Sequence, residues 1–214
     1  MKFKDRREGG KRLAGHLSDY ANRNDVIVLG LPRGGVPVAD EVAKELKAPL
    51  DVFLVRKIGV PGQKELAMGA ISSGGGRVLN SDIVESLNIS QDDIRRVEEE
   101  EREELERRER EFRGNRGELD VRNKTVILVD DGLATGASMR AAVTAVKNMS
   151  PKEVVVAVPS AARDSAESLE KEADRVIAVT TPEPYMAVGA WYENFGQTGD
   201  EEVKEILSGA DRRS

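Results

Sequence analysis

Short apolar runs alternate with segments of helical periodicity along most of this chain. The runs are rich in branched residues and bounded by turn-forming residues, which is typical of strands buried on both faces of a sheet. They cover residues 26–31, 50–57, 125–130, 153–159 and 175–180. Helical spacing of apolar residues predicts helices at 8–23, 36–47, 137–149, 162–173 and 201–207. This alternation predicts an α/β fold with a doubly wound, mainly parallel sheet and flanking helices.

Two segments depart from the alternation. Residues 58–76 are rich in glycine and polar side chains, which predicts a mobile loop leading into a short strand or hairpin at 68–71 and 77–79. Residues 90–113 are highly charged, and their acids precede arginines by four positions, as in Glu103–Arg107 and Glu104–Arg108. A narrow apolar stripe (Ile94, Val97, Leu105 and Phe112) predicts a surface helix, with a partner-facing helix as the alternative.

Composition and charge exclude several classes of function. The sequence has 214 residues, no cysteine and one histidine, so neither a thiol nucleophile nor a multi-histidine metal site is available. The formal net charge of −6 argues against a general nucleic-acid binder. The charged start has no apolar stretch behind it, and no apolar run is long enough to span a bilayer. We therefore expect a cytoplasmic protein without a membrane partner.

The segment 126–138 carries the clearest chemistry. An apolar strand delivers two adjacent carboxylates, Asp130 and Asp131 (the acid pair), and a helix is predicted directly after the next loop. That loop (the phosphate loop) consists of Gly132, Leu133, Ala134, Thr135, Gly136, Ala137 and Ser138. Backbone amides at a helix start favour a phosphate, and the carboxylates suit paired sugar hydroxyls or a bound Mg²⁺. A ribose 5-phosphate fits this description, and the alternative is a simple turn followed by a Ser/Thr helix cap.

This segment resembles the phosphoribosyl-diphosphate-binding motif of the type I phosphoribosyltransferases. The resemblance implies that Asp130 and Asp131 bind the ribose hydroxyls, and Mg²⁺ indirectly through the donor, while Ala134–Ser138 hold the 5-phosphate. The wider layout agrees across nearly the whole chain. It implies one domain, 1–214, with a flexible loop at 58–76, a helical insertion at about 81–116 and a small hood at about 182–207.

The first predicted strand ends in a second anion-binding candidate. Residues 31–39, which begin Leu-Pro-Arg-Gly-Gly, resemble the family's diphosphate loop. Arg33 offers a fork of donors, while Gly34 and Gly35 let the backbone approach an anion closely. Lys57, at the end of the second predicted strand, is a further diphosphate candidate. The alternative is a turn with a solvated arginine. Together with an Asp5-Arg6 start and the charged insertion, this loop resembles an uncharacterised subgroup of the family.

The resemblance implies an enzyme that moves ribose 5-phosphate from phosphoribosyl diphosphate to a nitrogen acceptor, a nucleobase, with Mg²⁺ assistance. Arg33, Lys57, Asp130 and Asp131 are the expected catalytic residues. Ala134 replaces the aspartate usual in hypoxanthine- and guanine-type enzymes, which puts a 6-oxopurine acceptor in doubt. The expected acceptor site lies under the hood aromatics Trp191, Tyr192 and Phe195, whose alternative role is to form the hood's own core.

Two other functions are compatible with the same pattern. The first is a non-catalytic regulator that senses phosphoribosyl diphosphate, and the second is a phosphohydrolase or another ribose-phosphate enzyme on the same scaffold. Relatives of the first kind usually present a basic face, whereas this chain is acidic overall. Homodimers are common in the family, although nothing in the sequence itself requires one.

Overall fold

The computed structural model describes residues 2–213. The strands are β1 Val26–Gly30, β2 Leu50–Val52, β3 Val55–Val60, β4 Gln63–Ser72, β5 Arg77–Leu79, β6 Thr125–Val129, β7 Glu153–Ser160 and β8 Arg175–Thr180. The helices are α1 Arg6–Gly15, α2 Gly35–Leu46, α3 Ser81–Ser86, α4 Gln91–Arg113, α5 Ala137–Lys147, α6 Arg163–Leu169 and α7 Asp200–Asp211. Short 3₁₀ turns lie at Ser18–Tyr20, Ser73–Gly75 and Val188–Trp191.

Five strands form the central sheet, in the order β2-β1-β6-β7-β8, and every neighbouring pair is parallel. Alternate residues of β6 enter two separate cores: Ile127 and Val129 pack with α1, α2 and α7, whereas Val126 and Leu128 pack with α5 and α6. The predicted doubly wound α/β sheet is therefore confirmed, because both of its faces are covered by helices.

The second predicted strand, 50–57, is wrong as a single element. The chain leaves the central sheet after Val52, and β3 begins at Val55 in a separate antiparallel sheet of order β3-β4-β5. At the crossing, Phe53 N still donates to Gly30 O (3.1 Å), while Leu54 N donates to Ser73 Oγ (3.0 Å). The apolar run is continuous because it supplies buried side chains to two sheets in succession.

The segment 58–76 is more regular than the predicted mobile loop. β3 and β4 form a long hairpin whose turn contains Gly62 at a φ of +77°, and β5 pairs with β4 on its other side. The short strands predicted at 68–71 and 77–79 lie within β4 and β5. The low hydrophobicity of Gln63–Leu66 reflects exposure of the hairpin tip, where these residues are solvent-facing.

The predicted charged helix is present as α4. Ser90 caps its start by accepting from Asp93 N (3.1 Å), and Ile94, Leu105 and Phe112 are buried as the apolar stripe implied. The Glu104–Arg108 pair forms, but Arg107 pairs with Glu104 and Glu111 instead of Glu103. The helix packs on β3 and is tied to it by Arg56 Nε donating to Glu101 (2.7 Å).

The final helix is longer than predicted and starts one residue earlier, at Asp200. Its apolar residues Val203, Ile206, Leu207 and Ala210 pack into the core beside α2. Among residues 2–213, the structure contains no helix with the length and apolar character needed to cross a bilayer.

Candidate active site

The two predicted anion-binding loops meet at one edge of the central sheet. β1 and β6 are adjacent and in register, with Gly30 opposite Val129, so the loops that follow them emerge side by side. Leu31 N extends the pairing by donating to Val129 O (2.9 Å). Ligands of open parallel sheets bind at this carboxyl edge, which places the candidate site here.

The acid pair lies against the glycines of the first loop. A Cβ atom on Gly34 would overlap the Asp131 Oδ2 oxygen, and one on Gly35 would lie 2.6 Å from Val129 O. Asp131 N donates to the Oδ1 oxygen of Asp130 (2.8 Å), which fixes the first carboxylate against its own loop. The two loops can approach this closely only because side chains are absent from positions 34 and 35.

Burial shapes the electrostatics of the acid pair. Burial and the neighbouring charge of Asp131 raise the pKa of Asp130 well above its usual value of 3.8. Burial also raises the pKa of Asp131, although the Arg6 guanidinium opposes this rise. Hydrogen-bond donors or a cation arriving at these oxygens would favour the charged form, so the pair is suited to receive a polyol or a metal-bearing ligand.

Arg6 is a site residue that sequence reasoning did not assign, and Tyr192, predicted only as a hood aromatic, also contacts the backbone of the acid pair. Arg6 Nε donates to Asp131 Oδ2 (2.8 Å) from the first turn of α1, and the Tyr192 hydroxyl donates to Asp131 O (2.5 Å). Burial and the nearby Asp131 raise the pKa of Tyr192, so it stays a protonated donor. The only sequence signal for Arg6 is its place in the Asp5-Arg6 pair, far from the acid pair along the chain.

The phosphate loop leads into an uncapped helix start. Gly136 takes a φ of +72° before α5 begins at Ala137, and no side chain of residues 2–213 caps the helix there. Leu133 anchors the loop, since its N–H donates to Ser160 O (2.9 Å) and its carbonyl accepts from Ala162 N (2.7 Å). Ala134, Thr135, Ala137 and Ser138 are exposed. Free amides at the positive end of a helix suit a phosphate group.

The predicted diphosphate cations occupy two different places. Arg33 lies in the first loop, but its guanidinium points to Asp200 at the start of α7 (3.3 Å). Lys57 is exposed on β3 and lines a groove of about 460 Å³ together with Ala137 and Arg140 of α5. The structure therefore brings Lys57 close to the phosphate-loop helix, whereas neither Arg33 nor Lys57 contacts the acid pair directly.

Asp130 of the acid pair and two further arginines line one cavity of about 160 Å³. Asp130 and Ser138 line it on the side of the phosphate loop, and Arg56 and Arg108 line it with the first loop's Leu31 and Pro32. Arg56 is the neighbour of Lys57 on β3, and Arg108 comes from the charged helix α4. Sequence reasoning assigned a role to neither arginine, since side-chain direction on β3 and the packing of α4 depend on the tertiary fold.

The hood aromatics pack largely on one another. Tyr192 is buried and stacks on Phe195 with ring centroids 5.2 Å apart, and Trp191 stacks on Tyr185 at 6.0 Å. The Arg6 guanidinium also lies over the Phe195 ring, with its central carbon 3.9 Å from the ring centroid. Phe195 itself is 41% exposed, and the stacking of a planar acceptor on these rings stays a prediction.

The hood also rests directly on the acid-pair loop. A Cβ atom on Gly132 would lie 2.5 Å from Val188 Cγ1 and 3.0 Å from the Tyr185 hydroxyl. Tyr185 in turn lies 3.0 Å from Ser160 Oγ at the end of β7. The site is thus an open α/β sheet edge that combines an acid pair, a helix start suited to an anion and an aromatic hood.

Comparison with known proteins agrees with this arrangement. Residues 4–192 match the phosphoribosyl transferase domain, and the chain belongs to that family. A Mycobacterium tuberculosis protein that carries the provisional name of a phosphoribosyl transferase is 45% identical over 210 residues, covering 98% of this chain and 47% of that protein. This chain therefore spans about half the length of the curated relatives it matches.

Solved structures agree in fold. The crystal structure of TT1426 from Thermus thermophilus is 44% identical, covers 97% of this chain and 98% of its own, and superposes with a TM-score of 0.86. The structure of AQ2163 protein from Aquifex aeolicus is 12% identical, covers 94% of this chain and 82% of its own, and has a TM-score of 0.52. The second likeness bears on the fold alone.

Proposed function

We propose that this chain transfers ribose 5-phosphate from phosphoribosyl diphosphate to a nitrogen acceptor of the nucleobase class. The acceptor nitrogen forms a bond to the anomeric carbon while the bond from that carbon to diphosphate breaks, with inversion. The departing diphosphate takes the proton that the nitrogen releases. No covalent intermediate is needed, which agrees with a sequence that has no cysteine and a single histidine.

One observation carries the proposal: the acid pair and an uncapped helix start follow the same strand at the carboxyl edge of the sheet. The 5-phosphate would accept hydrogen bonds from the amides of residues 134–138, with the Thr135 and Ser138 hydroxyls beside them. The ribose hydroxyls would donate to Asp130 and Asp131. This placement directs the anomeric carbon and its diphosphate toward the first loop.

The diphosphate side of the site supplies positive charge and open backbone. Gly34 and Gly35 allow close approach of the loop, Arg33 belongs to that loop and pairs with Asp200, and Lys57 lines the groove beside α5. To reach the diphosphate, Arg33 would have to leave its partner Asp200. This exchange is feasible because the ion pair is partly exposed to solvent, where such pairs are weak. Cations that face the leaving group stabilise charge that grows as the bond breaks.

The acid pair also fits Mg²⁺ in part. Within the described residues 2–213, no group of three or more His, Asp or Glu side chains converges as a metal site. Two adjacent carboxylates can nevertheless contribute oxygen ligands, and diphosphate oxygens and water would complete the octahedral set that Mg²⁺ requires. When bound, Mg²⁺ supplies charge neutralisation at the leaving diphosphate.

The acceptor class is proposed from the hood and from Ala134. The hood places aromatic surface beside the acid-pair loop, as a cover for a planar base would require. Ala134 offers no carboxylate as a base toward the acceptor, as in adenine- and orotate-type members of the family, so we propose an acceptor that needs none at this position. A cytoplasmic location and a homodimer remain predictions.

The test is donor binding followed by turnover. Titration of phosphoribosyl diphosphate with Mg²⁺ in a calorimeter should give saturable binding, and a panel of nucleobases should include one that triggers diphosphate release. Asp130→Asn and Asp131→Asn should each weaken donor binding by about tenfold or more, because each removes a charged acceptor of ribose hydroxyl bonds.

The matched control is Asp120→Asn. Asp120 is exposed and precedes the amino end of β6, at the opposite edge of the sheet. It should bind and turn over the donor as the unmodified chain does. Diphosphate release that needs no base would indicate a hydrolase, binding without release under every base would indicate a regulator, and absence of donor binding would contradict the proposal.

A further inference from the structure

The Asp5-Arg6 pair has no role in the function proposed so far, yet Arg6 makes three specific contacts. Its Nε donates to Asp131 Oδ2 (2.8 Å), and its Nη1 donates to Gly196 O (2.6 Å). The guanidinium also lies over the Phe195 ring, 3.9 Å from the centroid. One side chain therefore touches the acid pair, the hood backbone and a hood aromatic at the same time.

Hydrogen bonds on both sides of Arg6 fix the amino-terminal segment that carries it. Asp5 caps α1 by accepting from Glu8 N (2.9 Å), which sets Arg6 as the first helical residue. Immediately before it, Phe3 N donates to Trp191 O (2.8 Å), and Phe3 O accepts from Glu193 N (2.8 Å). Asn194 N donates to Lys4 O (2.9 Å). The amino-terminal segment is thus hydrogen-bonded to the hood on one side of Arg6 and continues into a capped helix on the other.

The ion pair differs in kind from the surface pairs of this chain. The side chains of Arg6 and Asp131 are 13% and 14% exposed, and Arg6 is the only cation hydrogen-bonded to either acid-pair carboxylate within residues 2–213. Two neighbouring carboxylates without a cation repel each other and are costly to bury. The planar guanidinium of Arg6 donates to Asp131 and Gly196 at the same time. A lysine ammonium is less suited to two such contacts.

We propose that Arg6 is a positioning residue that couples the acid pair to the hood: through its charge it holds Asp131 in place to accept a ribose hydroxyl, and through Gly196 and Phe195 it fixes the hood above the bound donor. This inference rests on the function proposed above. It assigns the Asp5-Arg6 pair a task, with Asp5 fixing the helix start and Arg6 reaching the site.

The two halves of this role are separable by substitution. Arg6→Ala removes both the charge and the hood contacts. Arg6→Lys retains a cation for Asp131 but loses the simultaneous contact to Gly196 and most of the stacking on Phe195. Phe195→Leu removes the stacking surface and leaves the Arg6–Asp131 pair. We therefore expect Arg6→Lys and Phe195→Leu to share a hood defect and to keep most of the donor affinity.

The single tryptophan gives a direct readout of the hood, since Trp191 lies within it and its carbonyl pairs with Phe3. We expect phosphoribosyl diphosphate with Mg²⁺ to change Trp191 emission in the unmodified chain. Arg6→Ala should bind the donor about tenfold more weakly or worse, and should lose the emission change even at saturation. Arg6→Lys should bind within about threefold of the unmodified chain while still lacking the emission change.

Arg7→Ala is the matched control. Arg7 is the next residue of the same helix, but its guanidinium pairs with Glu41 (3.1 Å) and Asp40 (3.5 Å) on α2 and is 47% exposed. It should retain both donor affinity and the emission change. A thermal melt of each variant establishes that the chain is folded at the assay temperature, and if Arg6→Ala is not, Arg6→Lys and Phe195→Leu decide the question.

The outcomes separate this inference from the proposed function. If the unmodified chain does not bind the donor, the proposed function fails and the inference fails with it. If the unmodified chain binds the donor, and the folded Arg6 variants match Arg7→Ala in both affinity and emission, the inference alone is overturned. Loss of the emission change in Arg6→Lys with retained affinity supports it.

Discussion

Gly34 occupies a position where a side chain has no room, because its Cβ would overlap the Asp131 Oδ2 oxygen. The same oxygen accepts the Arg6 hydrogen bond. One carboxylate oxygen therefore lies between the first loop and the amino-terminal helix. Any atom added at position 34 must displace Asp131, and with it the contact that joins the acid pair to the hood.

Gly34→Ala should weaken binding of phosphoribosyl diphosphate by about tenfold or more and lower the free energy of unfolding by about 1–3 kcal/mol through local overpacking. Calorimetric titration and urea unfolding measure the two effects. The control is Gly15→Ala, at an exposed helix end where an added Cβ would meet no atom of the described residues within 4 Å beyond its chain neighbours and its own helix backbone. It should bind normally, and equal behaviour of the two variants would contradict the steric argument.

The acid pair and the phosphate loop were predictable because their chemistry is contiguous in sequence, between residues 130 and 138. Arg6 was not predictable as a contact of Asp131, since 125 positions separate them. Arg56 and Arg108 were missed for the same reason. Periodicity identifies an exposed or buried face within one element, but not which side chains from distant elements converge on one cavity.

Among the elements, α4 has the largest consequence for the site. It carries the densest charge of the chain, yet its buried stripe and its Arg56–Glu101 link fix it to β3. This packing places Arg108 on the wall of the cavity that Asp130 and Ser138 also line. The sequence pattern predicted the helix itself. It did not predict the position of the helix beside the site, because α4 packs on the β3–β4 hairpin, which the pattern did not reveal.

Arg108→Ala should weaken the binding of inorganic diphosphate with Mg²⁺ by about threefold to tenfold, because a cation is removed from a partly enclosed cavity. Calorimetric titration at fixed ionic strength measures the affinity of each variant for diphosphate. Arg110→Ala is the control, since Arg110 is 71% exposed and, among the described residues, its side chain pairs only with Glu106 of the same helix. Equal diphosphate affinity in the two variants would remove Arg108 from the anion site.

The whole molecule is built around one parallel sheet with a core on each face. Ile127 and Leu128 are consecutive residues of β6, both fully buried, and they enter opposite cores. The sequence predicted this arrangement through its strongly apolar strands. It did not predict the division of 50–57 between two sheets, because a buried run has the same pattern whichever sheet it enters.

Ile127→Ala and Leu128→Ala should each lower the free energy of unfolding by roughly 2–5 kcal/mol, because each leaves a cavity in a packed core. The prediction of a single domain implies that urea unfolding of both variants stays one transition with coincident fluorescence and circular dichroism signals. The exposed Leu87, replaced by alanine, should change stability little. Two separated transitions would contradict the single domain.

The backbone pairing of Phe3 and Lys4 with residues 191–194 has a practical consequence for handling this protein. A purification tag fused at the amino end, or removal of the first few residues by a protease, would alter the segment that is hydrogen-bonded to the hood. Preparations that differ only at the amino end should therefore be compared with the same acceptor before a difference in turnover is attributed to the choice of acceptor.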